Sequence, residues 1–269
     1  MTCPYCNSVN IKKKIISYNK VVYFICIDCD SLYQDLLKSI SINNYKNFDW
    51  KKTVDPDGKY RDLTNERYFK IKNWYGKIPK FVSKLNPGKI LDIGAGLGYL
   101  LSTVNSDWEK HCIEISAGGI NHIKSEYPEV NIKCQELDEN LYEPEYFDVI
   151  ILYHVIEHLE EPIKILKIIK KILKPNGYLI LGTPNSTCFA FKIFEKNFRL
   201  LDPTHLSIIS EKQLKRTLIK LNFAIEYIEK PYFKTDYFNL KNLLKIFNTK
   251  RISPPFYGNI ITTYCKKII

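Results

Sequence analysis

The sequence predicts an α/β fold built on a doubly wound, seven-stranded and mostly parallel sheet, with a small metal-binding ribbon before it. From residue 89 onward, apolar strand patterns alternate with helix patterns, which is typical of parallel sheets with right-handed crossovers. An apolar strand at 89–93 runs directly into a glycine-rich turn, and four cysteines in two close pairs precede residue 30. At 269 residues the chain is long enough for one full α/β domain and a small appendage.

The segment 1–38 is predicted to form a zinc ribbon. Cys3 and Cys6 form one C-x2-C pair, Cys26 and Cys29 form a second, and nineteen residues separate the pairs. This is the spacing of a four-thiolate zinc site, and the alternating residues 18–25 predict a hairpin strand between the pairs. Because so short a module cannot bury a large core, we expect the zinc to be structural and to take no part in the chemistry of the protein.

The rest of the chain divides into a linker and one larger domain. Residues 39–62 are polar and rich in turn formers, which predicts a linker, and residues 63–269 predict the α/β domain. A first helix is predicted over 64–85 and ends at Asn86-Pro87-Gly88. Strands are predicted at 89–93, 110–115, 130–134, 147–153, 177–183, 223–229 and 258–267, and helices at 97–105, 116–127, 161–173 and 211–221.

Two long segments of this domain are expected to have roles of their own. Residues 184–210 are too long and too aromatic for a simple loop, and they predict a lid on the substrate side. Residues 231–257 form an insertion between the last two strands, which are close enough in sequence to pair antiparallel. The lid phenylalanines, which suit an apolar or ring-bearing ligand, are Phe189, Phe191, Phe194 and Phe198.

The composition argues against a membrane protein but does not distinguish a small-molecule enzyme from a protein that acts on RNA. The formal net charge is +11, but the lysines alternate with apolar residues along the chain, which is typical of solvated faces rather than of one nucleic-acid patch. RNA or an anionic substrate stays open on this basis. No stretch approaches the roughly 20 apolar residues of a membrane span, and no secretion signal opens the sequence. We therefore expect no membrane partner and a cytoplasmic location.

The glycine-rich turn has a spacing that argues against a dinucleotide. Gly94, Gly96 and Gly98 alternate with other residues, so the third glycine comes one residue earlier than in the G-x-G-x-x-G turn. Tyr99 stands where that turn needs a small residue, and its ring would block close packing of strand and helix. Glu114, at the tip of the second strand, is placed to accept both ribose hydroxyls of a nucleoside.

Two motifs carry a resemblance to a known family. Asp92 and the glycines form a hydrophobic-Asp-x-Gly-x-Gly-x-Gly pattern that resembles the first motif of class I S-adenosylmethionine (SAM)-dependent methyltransferases. The block His154-x-x-Glu157-His158, after the strand at 147–153, looks like the methyltransferase-23 branch, which includes ubiquinone-type O-methyltransferases and many natural-product and sugar methyltransferases. The resemblance covers about 89–230. The chain departs from the branch at Asn176 and Asn222, where relatives often have glycine.

The resemblance implies a Rossmann-like sheet with SAM bound at the carboxyl ends of the strands. After the third strand, relatives usually carry an acidic residue that meets the adenine amino group, and Gln135 or Glu136 stands there in this chain. The predicted cofactor-binding residues are Asp92, Gly94, Ala95, Gly96, Gly98, Tyr99, Glu114, Ile115, Gln135, Glu136 and Tyr153.

Methyl transfer from SAM is an in-line displacement, in which the enzyme positions the acceptor and, for a hydroxyl, removes a proton. We predict His158 as the general base, because an imidazole with an ordinary pKa accepts a phenol-type proton at neutral pH. His154 and His205 are the alternates. Glu157 and His158 are also candidate ligands of a divalent cation, as the ubiquinone-type relatives suggest, but the sequence identifies no third ligand.

Three functions are compatible with these motifs. The first is SAM-dependent methyl transfer to a small molecule, through a hydroxyl of an aromatic, natural-product-like or sugar acceptor. The second is an RNA methyltransferase that holds phosphates with the ribbon and the basic surface, although the fourth strand lacks the Asn/Asp-Pro-Pro-aromatic motif of amino-directed base methylation. The third is a non-catalytic SAM-binding module, which the intact glycine turn and Glu114 argue against.

Overall fold

The structure is a computed structural model that describes residues 2–35, 74–233 and 238–268, with 46, 48, 50–51, 53–54, 60–64 and 235. The strands of the described chain are β1 (Ile11–Ile16), β2 (Val22–Cys26), β3 (Leu32–Gln34), β4 (Thr53–Val54), β5 (Tyr60–Arg61), β6 (Lys89–Ile93), β7 (Glu109–Ile113), β8 (Asn131–Lys133), β9 (Phe147–Tyr153), β10 (Leu173–Pro184), β11 (Ser207–Ile208), β12 (Phe223–Glu229) and β13 (Ile260–Lys267). The α-helices are α1 (Ile78–Val82), α2 (Tyr99–Ser102), α3 (Ala117–Glu126), α4 (Pro162–Ile172), α5 (Phe189–Phe194), α6 (Glu211–Lys220) and α7 (Leu240–Lys245).

The central sheet has seven strands in the order β12-β13-β10-β9-β6-β7-β8. The five strands β10, β9, β6, β7 and β8 are parallel to one another. Strand β13 is antiparallel to both β10 and β12. Residues 149–152 of β9, in the middle of the sheet, are completely buried or nearly so, which explains their unbroken apolar run. The predicted fold class is confirmed, including the antiparallel last strand.

The helices are shorter than the sequence pattern predicts. Of the helix predicted over 64–85, residues 65–73 lie outside the described residues, and α1 begins only at Ile78. Gly76 has a φ of +56°, and Pro79 lies in the first turn of α1, so the backbone turns before the helix can start. No helix of the described chain has the length and apolar content needed to cross a bilayer.

The cysteine ribbon joins the larger domain through a shared sheet. Strands β1, β2 and β3 form an antiparallel sheet to which β11 adds as a fourth strand, pairing Tyr33 with Ser207 and Leu32 with Ile208. The predicted hairpin between the cysteine pairs is present as β1 and β2. Of the predicted linker, the described residues include a small hairpin of β4 and β5.

The phenylalanines of the segment 184–210 are mostly buried, and two of them pack against the ribbon. Phe191 and Phe198 share a buried cluster with Tyr23 and Leu32 of the ribbon. Phe194 is also buried, and only Phe189 is largely exposed. The expectation that these phenylalanines face a ligand is therefore wrong for Phe191 and Phe198, which pack on the ribbon. The physical reason is that the ribbon has no large core of its own and completes one with these side chains.

Candidate active site

The glycine turn joins β6 to α2 through backbone conformations that other residues rarely adopt. The φ angles of Gly94, Gly96 and Gly98 are +74°, +58° and +80°. A Cβ atom on Gly94 would lie 2.5 Å from Cγ2 of Val155, so any side chain there would displace the segment that follows β9. The turn therefore requires glycine both for its conformation and for its close approach to that segment.

Glu114 ties the glycine turn to the end of β7. Its Oε2 atom accepts a hydrogen bond from the Gly96 amide at 2.6 Å, and its Oε1 atom accepts from the amides of Ile115 and Ser116 at 2.9 and 2.7 Å. The side chain is buried, and three N–H donors compensate the burial of its charge. Glu114 lies at the tip of the second strand of the domain, where the sequence predicts it.

A first cavity of about 190 Å³ opens beside this turn. Its polar lining includes Glu114, Ser116 and Glu136, and two histidines, His154 and His158, border it as well. The remaining lining is Trp50, Ile93, Gly94, Ile113, Ile115, Leu137, Val155, Leu159 and Ile165. An apolar pocket with a few polar groups is the usual form of a small-molecule site.

Only part of the predicted cofactor set lines this cavity. The predicted residues in its lining are Gly94, Glu114, Ile115 and Glu136. Those outside the lining are Asp92, Ala95, Gly96, Gly98, Tyr99, Gln135 and Tyr153. Gln135 is exposed and its side-chain amide donates to Asp138 at 3.1 Å, whereas Glu136 borders the cavity. The Tyr99 hydroxyl donates to the Thr64 carbonyl at 2.6 Å.

Two of the predicted residues outside the lining, Asp92 and Gly96, are covered by other parts of the protein. Asp92 is buried within the sheet, and this burial, with the charge of Glu114 as a second cause, raises its pKa to about 7. The Trp50 ring covers Gly96, where a Cβ atom would lie 2.8 Å from Cη2 of the indole. Sequence analysis missed Trp50, whose only signal was a large aromatic residue within a polar linker.

His154 is held by a buried carboxylate. It follows β9 with a φ of +58°, which is rare outside glycine but less so for histidine. Its Nδ1 atom lies 3.1 Å from Oε1 of Glu157, and the Thr183 hydroxyl donates to Oε2 of Glu157 at 3.1 Å. Burial alone would raise the pKa of Glu157, but the hydrogen bond from His154 and the nearby histidines lower it to about 2. Glu157 is therefore an ionised partner for His154.

His158 differs from the expected base. Its Nδ1 atom lies 2.8 Å from the Thr204 carbonyl, so Nδ1 carries the proton. Enclosure of the ring by protein, with His205 as a second cause, lowers the pKa of His158 to about 4. The expectation of an ordinary imidazole pKa at this position is wrong, because the motif does not reveal how closely the ring is surrounded.

His205 completes the cluster from a distant part of the chain. Its Nδ1 atom lies 2.8 Å from the Leu200 carbonyl, and its ring centre is 4.8 Å from that of His158. Glu157, His158 and His205 present potential ligand atoms that all lie within 4.8 Å of one another. His205 is thus the third candidate cation ligand that the sequence did not identify.

A second cavity, of about 210 Å³, also has His154 in its lining. It lies among Tyr153, Leu200 and Arg199, with the aromatic side chains Trp74, Tyr232 and Phe256. Tyr153, which was predicted to bind the cofactor, therefore lines this cavity and not the first. Of the three candidate bases, His154 is the one that borders both cavities.

The four ribbon cysteines are brought together as the sequence predicts. Sγ of Cys3 lies 3.6 Å from Sγ of Cys29, and Sγ of Cys6 lies 3.5 Å from Sγ of Cys26. A tetrahedral zinc with Zn–S bonds of about 2.3 Å separates its sulfurs by about 3.8 Å. These sulfurs therefore fit a zinc ion, whose contribution there would be to hold the ribbon.

Comparison with known proteins identifies the larger domain. A family model described as a methyltransferase domain, Methyltransf_23, matches residues 66–228. A ubiquinone biosynthesis O-methyltransferase of Pelagibacter ubique is 32% identical over 149 residues, covering 49% of this chain and 60% of that protein. A probable S-adenosylmethionine-dependent methyltransferase of Mycolicibacterium smegmatis is 25% identical over 139 residues, covering 51% and 52%. The chain thus spans between about half and three-fifths of the length of these relatives.

A solved structure shares the fold. The crystal structure of a SAM-dependent methyltransferase from Archaeoglobus fulgidus matches with a TM-score of 0.54 and 20% identity, covering 78% of this chain and 100% of that chain. These similarities do not support the RNA-methyltransferase alternative.

Proposed function

The chain belongs to the Methyltransf_23 family, and from this premise we propose that it is a class I SAM-dependent methyltransferase. In this proposal it methylates a hydroxyl of a small apolar or ring-bearing molecule, with His154 as general base. One observation carries the proposal. His154 borders both cavities and is hydrogen-bonded to the buried Glu157.

The first cavity is our candidate SAM site, because four of the residues expected to bind the cofactor border it. Glu114 lies at the strand tip where a carboxylate can receive ribose hydroxyls. Glu136 borders the cavity, which supports it over Gln135 as the candidate partner of the adenine amino group. Gly94 has no side chain, so a ligand in this cavity can lie close to its backbone. When bound there, SAM supplies an electrophilic methyl group on its sulfonium.

His154 is the better base for three reasons. Its Nδ1 atom is engaged by Glu157, so Nε2 is the nitrogen left to accept a proton. The ionised Glu157 stabilises the imidazolium that forms and fixes the orientation of the ring. By contrast, the lowered pKa of His158 makes it a weak proton acceptor.

The second cavity supports an acceptor with an apolar part. Tyr153, Tyr232 and Phe256 border it together with His154, so a ring seated there would place a hydroxyl near the base. The acceptor class therefore rests on this cavity rather than on the phenylalanines that pack on the ribbon.

A divalent cation bound by Glu157, His158 and His205 is the second candidate role for the cluster. The spacing of these ligand atoms favours it, since two imidazoles and a carboxylate are a common cation-binding set. In that role the cation would position the acceptor oxygen, and His158 would be a ligand with no role as a base.

To test this proposal, the rate of S-adenosylhomocysteine release is measured with different acceptors. We expect turnover with a catechol and much less with a nucleotide sugar or an RNA transcript. Activity should persist in a chelator that leaves the zinc content of the ribbon unchanged if His154 acts without a cation. Activity that is lost in chelator and restored by Mg²⁺ would assign the cation role, and turnover restricted to RNA would contradict the proposed acceptor class.

A further inference from the structure

The ribbon reaches the histidine cluster through one turn of the larger domain. Residues 202–205 lead into β11, which pairs with β3 of the ribbon. The backbone N–H of Gln34 extends this pairing by donating to the Leu206 carbonyl at 2.8 Å. The turn that carries His205 is therefore continuous with a sheet of the cysteine module.

Two ribbon side chains close around the carbonyls of this turn. The Tyr23 hydroxyl lies 2.6 Å from the Asp202 carbonyl and 2.8 Å from the His205 carbonyl. The side-chain amide of Gln34 donates to the Pro203 carbonyl at 3.1 Å and to the His205 carbonyl at 2.8 Å. The same side-chain nitrogen lies 3.1 Å from the Tyr23 oxygen, so its two protons are shared among three acceptor oxygens. We call these two side chains, Tyr23 and Gln34, the ribbon clasp.

The clasped turn in turn holds His158. Asp202 Oδ1 accepts from the amide and the hydroxyl of Thr204 at 2.9 and 2.6 Å, which fixes the direction of the Thr204 carbonyl. That carbonyl accepts the Nδ1 proton of His158 at 2.8 Å. Gln34 in the ribbon and His158 beside Glu157 are thus hydrogen-bonded to carbonyls of the same turn.

The cysteine site is tied to the same region. The Ser210 hydroxyl donates to the Cys29 carbonyl, and the Ser186 hydroxyl donates to the Asp30 carbonyl at 2.7 Å. The Tyr5 hydroxyl lies 2.8 Å from Oγ of Ser207. Both cysteine pairs therefore lie beside side chains that anchor them to the methyltransferase domain.

We propose that the ribbon is a positioning element of the active site, in which Tyr23 and Gln34 hold the 202–205 turn so that His158 stays in its Nδ1–H tautomer. In this tautomer His158 is neutral and directs its proton at the Thr204 carbonyl. His154 is then the histidine that is hydrogen-bonded to the ionised Glu157. Release of the turn frees His158 to reorient and to compete with His154 for Glu157. Gln34 and Tyr23 are positioning residues, since neither lines the two cavities.

The test compares Tyr23→Phe and Gln34→Leu with Tyr33→Phe. The first two variants remove the clasp donors while keeping side chains of similar size. Tyr33 is the matched control, because it is a ribbon tyrosine whose buried hydroxyl has no hydrogen-bond partner in the described part of the chain. Zinc content and SAM affinity are measured for each variant, and both should match the wild type.

Imidazole NMR gives a readout that does not depend on methyl transfer. The chain has five histidines, so the His158 signal is assigned by its loss in His158→Gln. We expect the wild type and Tyr33→Phe to show the Nδ1–H tautomer of His158, and both clasp variants to show a mixture of tautomers.

The kinetic readout rests on the proposed function. We expect kcat to fall by up to about tenfold in both clasp variants, no more than in a variant that lacks His158, with KM for SAM unchanged. An unchanged His158 tautomer in both clasp variants would overturn the inference, as would a change that occurs only in protein that has lost its zinc. A tautomer change without any methyl transfer by the wild type would instead contradict the proposed function.

Discussion

At the scale of single residues, His158 is held as a neutral imidazole by its surroundings. Its enclosure and the neighbouring His205 lower its pKa to about 4, whereas the pKa of an unfolded histidine is about 6.5. Between these two values the unfolded chain binds a proton that the folded chain does not bind. Acidification through this range therefore favours the unfolded state.

We expect His158 to reduce the free energy of unfolding by up to roughly 3 kcal/mol as the pH falls from 6.5 to 4. Urea unfolding of the wild type and of His158→Gln across this range measures the effect. The difference between the two proteins reports His158 together with its coupling to Glu157 and His205, because the groups outside this cluster titrate in both. Two stability curves that stay parallel from pH 7 to pH 4 would show that the pKa of His158 is not depressed.

At the scale of elements, α5 and the residues after it act as part of the ribbon core. Phe198 is completely buried there, whereas Phe189 at the start of α5 is 55% exposed. Phe198 packs edge-on against Phe191, with ring centres 5.5 Å apart. The segment therefore stabilises the ribbon and the domain together.

Phe198→Ala is expected to lower the free energy of unfolding by about 3–5 kcal/mol, because it removes a buried ring and leaves a cavity. Phe189→Ala is the matched control, and its effect should be about 0.5 kcal/mol or less. Urea unfolding with zinc release followed in parallel tests both. Equal effects of the two substitutions would indicate that the segment does not form a shared core with the ribbon.

At the scale of the whole molecule, the sequence predicts the architecture well and the site only in part. Strand periodicity and chain order are local signals, so they predicted the seven-stranded sheet and its antiparallel last strand. The two C-x2-C pairs likewise brought four sulfurs together. Such signals depend on residues close together in sequence. They predict the folded structure correctly where the tertiary contacts favour the same local conformation.

Features that depend on contacts between distant segments were not predictable in this way. The left-handed backbone at His154, the Trp50 ring over Gly96 and the burial of Phe198 against the ribbon each require a partner far along the chain. The sequence motif therefore indicated His158 as the base, whereas we propose His154 from its contact with the buried Glu157. Residue types at a motif report which groups are present, but packing decides their protonation and direction.

The rate of methyl transfer to a phenolic acceptor in His154→Gln and His158→Gln tests the central claim most directly. With SAM affinity confirmed by calorimetry in both, we predict that kcat falls about a hundredfold or more in His154→Gln. In His158→Gln, where only positioning is lost, we predict a fall of about tenfold. A larger loss of kcat in His158→Gln than in His154→Gln would contradict the assignment of His154 as the general base.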